Sequence, residues 1–248
     1  MSNYIIEVED LVKIYKTGNI KAIDNLNLRI KRGEIYALIG ANGSGKTTTI
    51  NVLTGALYPT SGKVRLLDYI VPKDRKKTAN FIGIAPQEYS LYNELTLEEN
   101  VRFFSLLYGQ SKSYFKERLD HLLTILSLHE KRKTVVKNLS GGMKRRVSIA
   151  CALIHDPIIL FFDEATVGID PVQRKFFWNY FRSLVKELEK TIILTSHVMD
   201  EAERADRIGL MRKGKLIEEG IPSELKDKYH TSTIEEIFIK LSDVEESK

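Results

Sequence analysis

Residues Gly40-Ala41-Asn42-Gly43-Ser44-Gly45-Lys46-Thr47-Thr48 carry the strongest chemical signal in this 248-residue chain. They follow the apolar run Ile35–Ile39 and precede a segment of helical character. Glycines at this spacing let backbone N–H groups turn inward around a polyphosphate, and the helix that starts next points its positive end at the same charge. Lys46 reaches the β- and γ-phosphates as a mobile point charge, and the Thr47 hydroxyl is placed to ligate Mg²⁺. By itself the loop specifies only a nucleotide, because kinases, GTPases and motor ATPases share it.

Two further constellations narrow the chemistry. The run Ile158-Ile159-Leu160-Phe161-Phe162-Asp163-Glu164 is a buried strand ending in two acids. Acids at the carboxyl end of a parallel strand face the ligand crevice. There Asp163 would hold Mg²⁺ through water, and Glu164 would orient and deprotonate the water that attacks the γ-phosphate. Just ahead of that strand stands Leu139-Ser140-Gly141-Gly142-Met143 at a helix start, followed by Lys144, Arg145 and Arg146. A Ser-Gly-Gly helix N-terminus is a second anion site. Two polyphosphate sites in one chain suggest that each serves a different nucleotide, as in a head-to-tail dimer with ATP held between subunits.

The elements that must position these groups can be read from periodicity. Alternation through Tyr4, Ile6 and Val8, and through Leu26, Leu28 and Ile30, predicts strands of a half-exposed sheet. A helix from the phosphate loop to about Thr54, a turn at Pro59-Thr60-Ser61-Gly62 and a strand over 63–67 follow. A short strand over 81–85 ends at Pro86-Gln87, and from there to about Ile154 the texture is helical, opening on a capping box of Thr96 and Glu99. Phe115, Leu119, Leu122, Leu123 and Leu126 give a second helix of this inserted lobe. Apolar runs return at 158–162 and 191–195, separated by a helix with Phe176, Phe177, Tyr180, Phe181, Leu184 and Leu188 on one side, which predicts a parallel sheet with crossover helices. A hairpin at Lys213-Gly214 and two short helices close the chain, the last capped by Ser232 with Glu235 as its box partner.

Composition excludes some classes. Thirty-eight Lys and Arg against 33 Asp and Glu give a net charge of +5 spread along the chain, so charge makes no case for nucleic acid. No apolar run approaches the roughly 20 residues that span a bilayer. The N-terminus lacks a basic region followed by an apolar stretch, and the single Cys151 cannot form an internal disulfide, so a reducing cytosol is expected. Cys151 lies in an apolar helical run and reads as packing. His121, His129, His155 and His230 read as structural.

The order of these motifs, a GxxxxGKT loop, then Leu139-Ser140-Gly141-Gly142, then an apolar strand ending in Asp163-Glu164, closely resembles the nucleotide-binding subunits of ABC transporters, from about residue 4 to at least 228. The resemblance implies an α/β fold: a P-loop NTPase (RecA-like) core with a mixed sheet, an N-terminal antiparallel β subdomain and an inserted α-helical subdomain. It places one ATPase domain at 1–230, with its core at 1–87 and 156–220, the helical subdomain at about 88–155, and a C-terminal helical extension at 221–248. Implied for the site are ATP contacts from Tyr15, stacking on adenine, from the loop Gly40 to Thr48 and from Gln87, with Thr47, Gln87 and Asp163 at Mg²⁺. Catalysis would fall to Glu164, Lys46 and the switch residue His197 after Thr195-Ser196. Ser140, Gly141 and Gly142 would bind ATP of the opposite subunit, and Asp170 in Val167-Gly168-Ile169-Asp170 would sit at the dimer interface.

One position departs from that pattern: Ala165 follows Glu164 where the family mostly has proline, which affects the stiffness of the loop and removes no ligand atom. Met143-Lys144-Arg145-Arg146, Pro222-Ser223-Glu224-Leu225 and Ser232 through Ile237 resemble export ATPases whose membrane subunit is a separate polypeptide. The expected partners are therefore ATP, a transmembrane permease and a second ATPase subunit, with no nucleic acid, and the expected location is the inner face of the cell membrane. An import ATPase, or a soluble machine acting on ribosomes or DNA, is the alternative. The latter usually needs two cassettes or long coiled coils, for which 248 residues leave no room.

Overall fold

The computed structural model describes residues 3–164 and 169–246, so Ala165 and the Val167-Gly168 part of the interface loop lie outside the described residues. Within them two sheets form. The first is antiparallel, in the order β2-β1-β4-β5: β1 is Tyr4–Tyr15, β2 Ile20–Lys31, β4 Ser61–Leu66 and β5 Tyr69–Val71. Its alternation is realised as expected, with Ile6, Val8, Leu26, Leu28 and Ile30 buried and the residues between them mostly turned to solvent. β5 was not legible beforehand, because three residues carry no period; it leads into the one-turn helix α2, Arg75–Thr78.

The second sheet runs β10-β9-β3-β8-β7-β6. Here β3 is Ile35–Ile39, β6 Ile82–Ala85, β7 Ile159–Asp163, β8 Thr191–Ser196, β9 Arg207–Arg212 and β10 Lys215–Gly220. All pairs are parallel except β9 with β10, the hairpin at Lys213-Gly214. Every residue of β3, β7 and β8 is buried, as strands covered on both faces must be. The period of two sorts them between two cores. Ile35, Ala37, Ile39, Leu160 and Phe162 face one, packed with helices, whereas Tyr36, Leu38, Ile159 and Phe161 face the other, shared with the antiparallel sheet.

Helix α1, Lys46–Leu53, follows β3, and α6, Pro171–Leu188, is the crossover from β7 to β8. The apolar stripe of α6 is rotated from the expected one. Phe177, Trp178, Phe181 and Leu184 are buried, with Phe181 stacked on Phe162 at 4.6 Å, while Phe176 and Leu188 are exposed. Phe177, Phe181, Leu184 and Val185 stand at i, i+4, i+7 and i+8, and Trp178 flanks that stripe in the place expected of Phe176.

Between β6 and β7 lie α3 (Leu97–Leu107), α4 (Lys112–Ile125) and α5 (Gly141–Leu153). The Thr96 box is formed: its hydroxyl accepts from Glu99 N at 3.3 Å and the Glu99 carboxylate accepts from Thr96 N at 2.8 Å. Arg132 ties the lobe together by a two-pronged pair to Glu98 at 2.7 and 2.9 Å and a further bond to Asp120. After β8 come the short α7 (Met199–Ala202), then β9 and β10, and finally α8 (Pro222–Tyr229) and α9 (Ile234–Glu246). The cap of α9 differs from expectation by one residue. Thr233 Oγ1 accepts from Glu236 N at 3.2 Å, and the Glu236 carboxylate accepts from Ser232 N and Oγ at 3.0 Å each. Ile234 and Ile237 are both buried, so packing sets the first turn and makes Glu236, not Glu235, the residue that reaches back.

Candidate functional site

Register places the site. Ile39 of β3 pairs with Ser196 of β8, Asp163 of β7 with Thr195, and Ala85 of β6 with Phe162, so four neighbouring parallel strands end at one level. The loops leaving those ends carry the phosphate-loop residues, Gln87, Asp163 with Glu164, and His197, which is the crevice where α/β sheets bind ligands.

The phosphate loop cannot be built from other residues. Gly43 and Gly45 hold φ of +79° and +106°, where side chains are strained. A Cβ on Gly45 would also lie 2.3 Å from Ala22 O, and one on Gly40 would lie 2.1 Å from Met211 O. Strand β2 through Ala22 and the hairpin β9–β10 through Met211 supply this close backing, and Gly214 N donates to Ser44 O at 2.9 Å. Lys46 is buried, its Nζ donating to Gly40 O at 2.8 Å and Ala41 O at 3.1 Å and standing 3.8 Å from Glu164 Oε1. Burial pushes its ammonium below the ordinary lysine range, while Glu164 and Asp163 draw it back up.

Thr47 Oγ1 donates to Asp163 Oδ1 at 3.3 Å, and Asp163 also accepts from Thr195 Oγ1. Glu164 sits at φ +51° with its N–H shared between Thr195 O at 3.2 Å and Thr195 Oγ1 at 3.1 Å. That sparsely populated backbone turns its carboxylate back over the loop. Oε1 lies 3.3 Å from His197 Nδ1, and Oε2 accepts from Gln87 Nε2 at 3.3 Å. A hydroxyl and one carboxylate converging at the loop form a hard-oxygen donor set that fits Mg²⁺, an ion that keeps waters and substrate phosphates as its other ligands.

Lys46, Thr47, Gln87 and Glu164 line a cavity of about 570 Å³, with Asp163 held against Thr47 and His197 against Glu164. Tyr15 stands at its edge, 38% exposed rather than in a core, with its hydroxyl 3.3 Å from Thr48 Oγ1. Asn42, Gly43 and Gly45 also line it, as do Lys21 and Lys213, which sequence reasoning did not single out because strand and hairpin come beside the loop only on folding. Ser140, Gly141, Gly142 and Asp170 do not line it. Ser140 is exposed at the start of α5, where its Oγ accepts from Met143 N at 3.3 Å, and Gly141 beside it is exposed as well. Thr195 was the other missed residue, and its only trace in the sequence is its place two residues before His197. Of the four remaining histidines, His155 is buried, stacked on Tyr108 at 3.5 Å with Nε2 at 2.9 Å from Ile82 O.

Residues 23–167 match the family model described as ABC transporter. The chain belongs to the ABC transporter family. It is an ATP-binding cassette of that family with a P-loop NTPase fold. It is 40% identical over 242 residues to a probable multidrug ABC transporter ATP-binding protein of Escherichia coli, covering 96% of this chain but 41% of that one. It is 36% identical to the Nod factor export ATP-binding protein I of Cupriavidus metallidurans, covering 94% of this chain and 77% of that one. Among solved structures, a dimeric ATP-binding cassette in a post-hydrolysis state with ADP and Pi superposes with a TM-score of 0.82 at 28% identity, over 87% of this chain and 98% of that one. Among the described residues no helix is long and apolar enough to cross a membrane.

Proposed function

We propose that this cassette hydrolyses ATP to power export of a substrate through a separate membrane-spanning partner, by closing a head-to-tail dimer around two nucleotides. The observation that carries this reading is the convergence of Lys46, Thr47, Gln87 and Glu164 on one cavity at the ends of four adjacent strands, with Asp163 bonded to Thr47 and His197 beside Glu164. Tyr15 stacks on adenine at the cavity edge. Lys46 exchanges its two loop carbonyls for the β- and γ-phosphates. Thr47, Asp163 and Gln87 would hold Mg²⁺, which when bound would neutralise charge on the phosphate oxygens. Glu164 takes the proton of the attacking water, and His197 steadies its Oε1 and contacts the γ-phosphate. Ser140 and Gly141, both exposed, and Gly142, all outside their own cavity, serve the γ-phosphate of the opposite subunit, with Asp170 at the interface between the two. Closure follows because ATP binds the closed dimer better than the open one, and hydrolysis removes that preference. The segment 88–93 and α3 carry the motion to the permease, which holds the cassette at the inner face of the membrane. Export is favoured over import by the Met143 to Arg146 texture and by the Nod factor export relative.

Tagging the chain in its native cell, solubilising membranes gently and identifying what co-purifies tests this. A multi-span integral protein at about equal stoichiometry is the expected result. Recovery only from the soluble fraction, with ribosomes or DNA, would retire transport.

A further inference from the structure

Arg145 lies on α5, five residues after Ser140, in the middle of a basic run that sequence alone would assign to solvent or anions. It is buried, 5% exposed. Its guanidinium reaches across to the chain leaving β6, where Nη1 donates to Pro86 O at 2.6 Å and Nη2 to Gln87 O at 2.7 Å. The same group lies 5.0 Å from the centre of the Tyr89 ring. The hydroxyl end of that ring stands over the start of α5, where a Cβ added to Gly141 would come 3.3 Å from Tyr89 Oη. Residues 86 and 87 are thus fastened to α5 one turn in from its first residue. The rigid planar fork holds two successive carbonyls at once, which a lysine cannot do.

We propose that Arg145 is a positioning residue that makes the start of α5 move with Gln87, so that nucleotide on a chain's own phosphate loop sets the placement of the Ser140 it offers to the other subunit. The proposal rests on the reading of Ser140 given above. The path is short: Gln87 Nε2 meets Glu164 in the cavity, its carbonyl meets Arg145, and about one and a half turns of helix connect Arg145 to Ser140. Backbone at a joint between two lobes can otherwise absorb a shift by rotating φ and ψ. Fastening both carbonyls to one side chain removes that freedom, so a displacement at Gln87 is passed on to the helix instead of being lost in the loop.

Hydrogen–deuterium exchange on the full chain, diluted below about 1 μM to keep it monomeric, measures the relay without the partner subunit. In the parent, Mg-ATP slows exchange both at residues 43–48 and at 141–146. Arg145→Met removes both donors at similar length, and Arg145→Lys keeps the charge without the fork. In each, ATP still protects 43–48 as in the parent, while its effect at 141–146, about fivefold in the parent, falls to less than about twofold. Equal protection of 141–146 in parent and Arg145→Lys overturns the proposal, as does a parent in which ATP protects 43–48 alone. A parent in which ATP protects neither segment overturns the nucleotide reading itself, and the relay with it. Protection of 43–48 reports folding in the same experiment, and Arg145→Lys decides the matter if Arg145→Met fails to fold.

Discussion

Replacing Glu164 by glutamine changes one atom and isolates one step. The carboxylate is 7% exposed, with Oε2 receiving Gln87 Nε2 at 3.3 Å and Oε1 facing His197 Nδ1 at 3.3 Å and Lys46 Nζ at 3.8 Å. A glutamine of the same shape turns its carbonyl oxygen to Gln87 and its amide to His197, so packing and most contacts survive and the melting temperature stays within a few degrees. The base is lost. Positioned general bases contribute about 10²–10⁴ in rate, equivalent to about 3–5 kcal/mol of barrier. Nucleotide affinity should hold or rise, because one of the two negative charges beside the γ-phosphate position is gone and Lys46 keeps its full attraction for phosphate. The expected phenotype is therefore a chain that binds ATP, hydrolyses it about a thousandfold more slowly and accumulates as a dimer. Phosphate release at saturating ATP and sedimentation velocity with ATP or ADP measure both. A folded Glu164→Gln chain within about fivefold of the parent rate would refute the assignment. So would one that slows but dimerises no better with ATP than with ADP, since a stalled site should stay closed.

Acid should weaken the fold through His155. Its ring stacks on Tyr108, its Nε2 meets Ile82 O, and its Nδ1 is buried with no partner, so a second proton has nowhere to bond. Burial holds its pKa down to about 4, against an ordinary 6.5. Above pH 6.5 both states are neutral and the contribution is constant. Between 6.5 and about 4 the unfolded chain takes up a proton that the folded chain refuses, so stability falls by up to about 3 kcal/mol. Urea midpoints at pH 7, 5.5 and 4.5 should fall less steeply for His155→Gln, and parallel curves would count against the explanation. Gly45→Ala forces a side chain to φ +106° and against Ala22 O, so it should cost about 2–4 kcal/mol and weaken ATP binding more than tenfold. Melting and ATP titration together check this, and a parent-like result in both would remove the steric account of the loop.

Much of the site was legible because its parts are contiguous in sequence. The phosphate loop is a local backbone solution in which each glycine is required by its own φ or by a neighbouring backbone, and the acids Asp163 and Glu164 mark the end of a strand whose burial is written in its apolar run. The box at Thr96 was local for the same reason. Where packing had to choose, local reading slipped. Ile234 and Ile237 shifted the cap of α9 by one residue, and Trp178 and Val185 displaced Phe176 and Leu188 from the buried stripe of α6.

By itself the sequence determined the family, through the order of a glycine-rich loop, a Ser-Gly-Gly helix start and a pair of strand-end acids. Only the tertiary structure decided which of these groups meet. Parallel register brought the ends of β3, β6, β7 and β8 level, and so placed Lys46, Gln87, Glu164 and His197 within bonding reach although they are far apart in the chain. It also turned Arg145 from one member of a basic run into a buried fork on Pro86 and Gln87. Side-chain type and spacing are local properties, whereas register and burial depend on how residues distant in sequence share two cores, and no window of sequence contains that information.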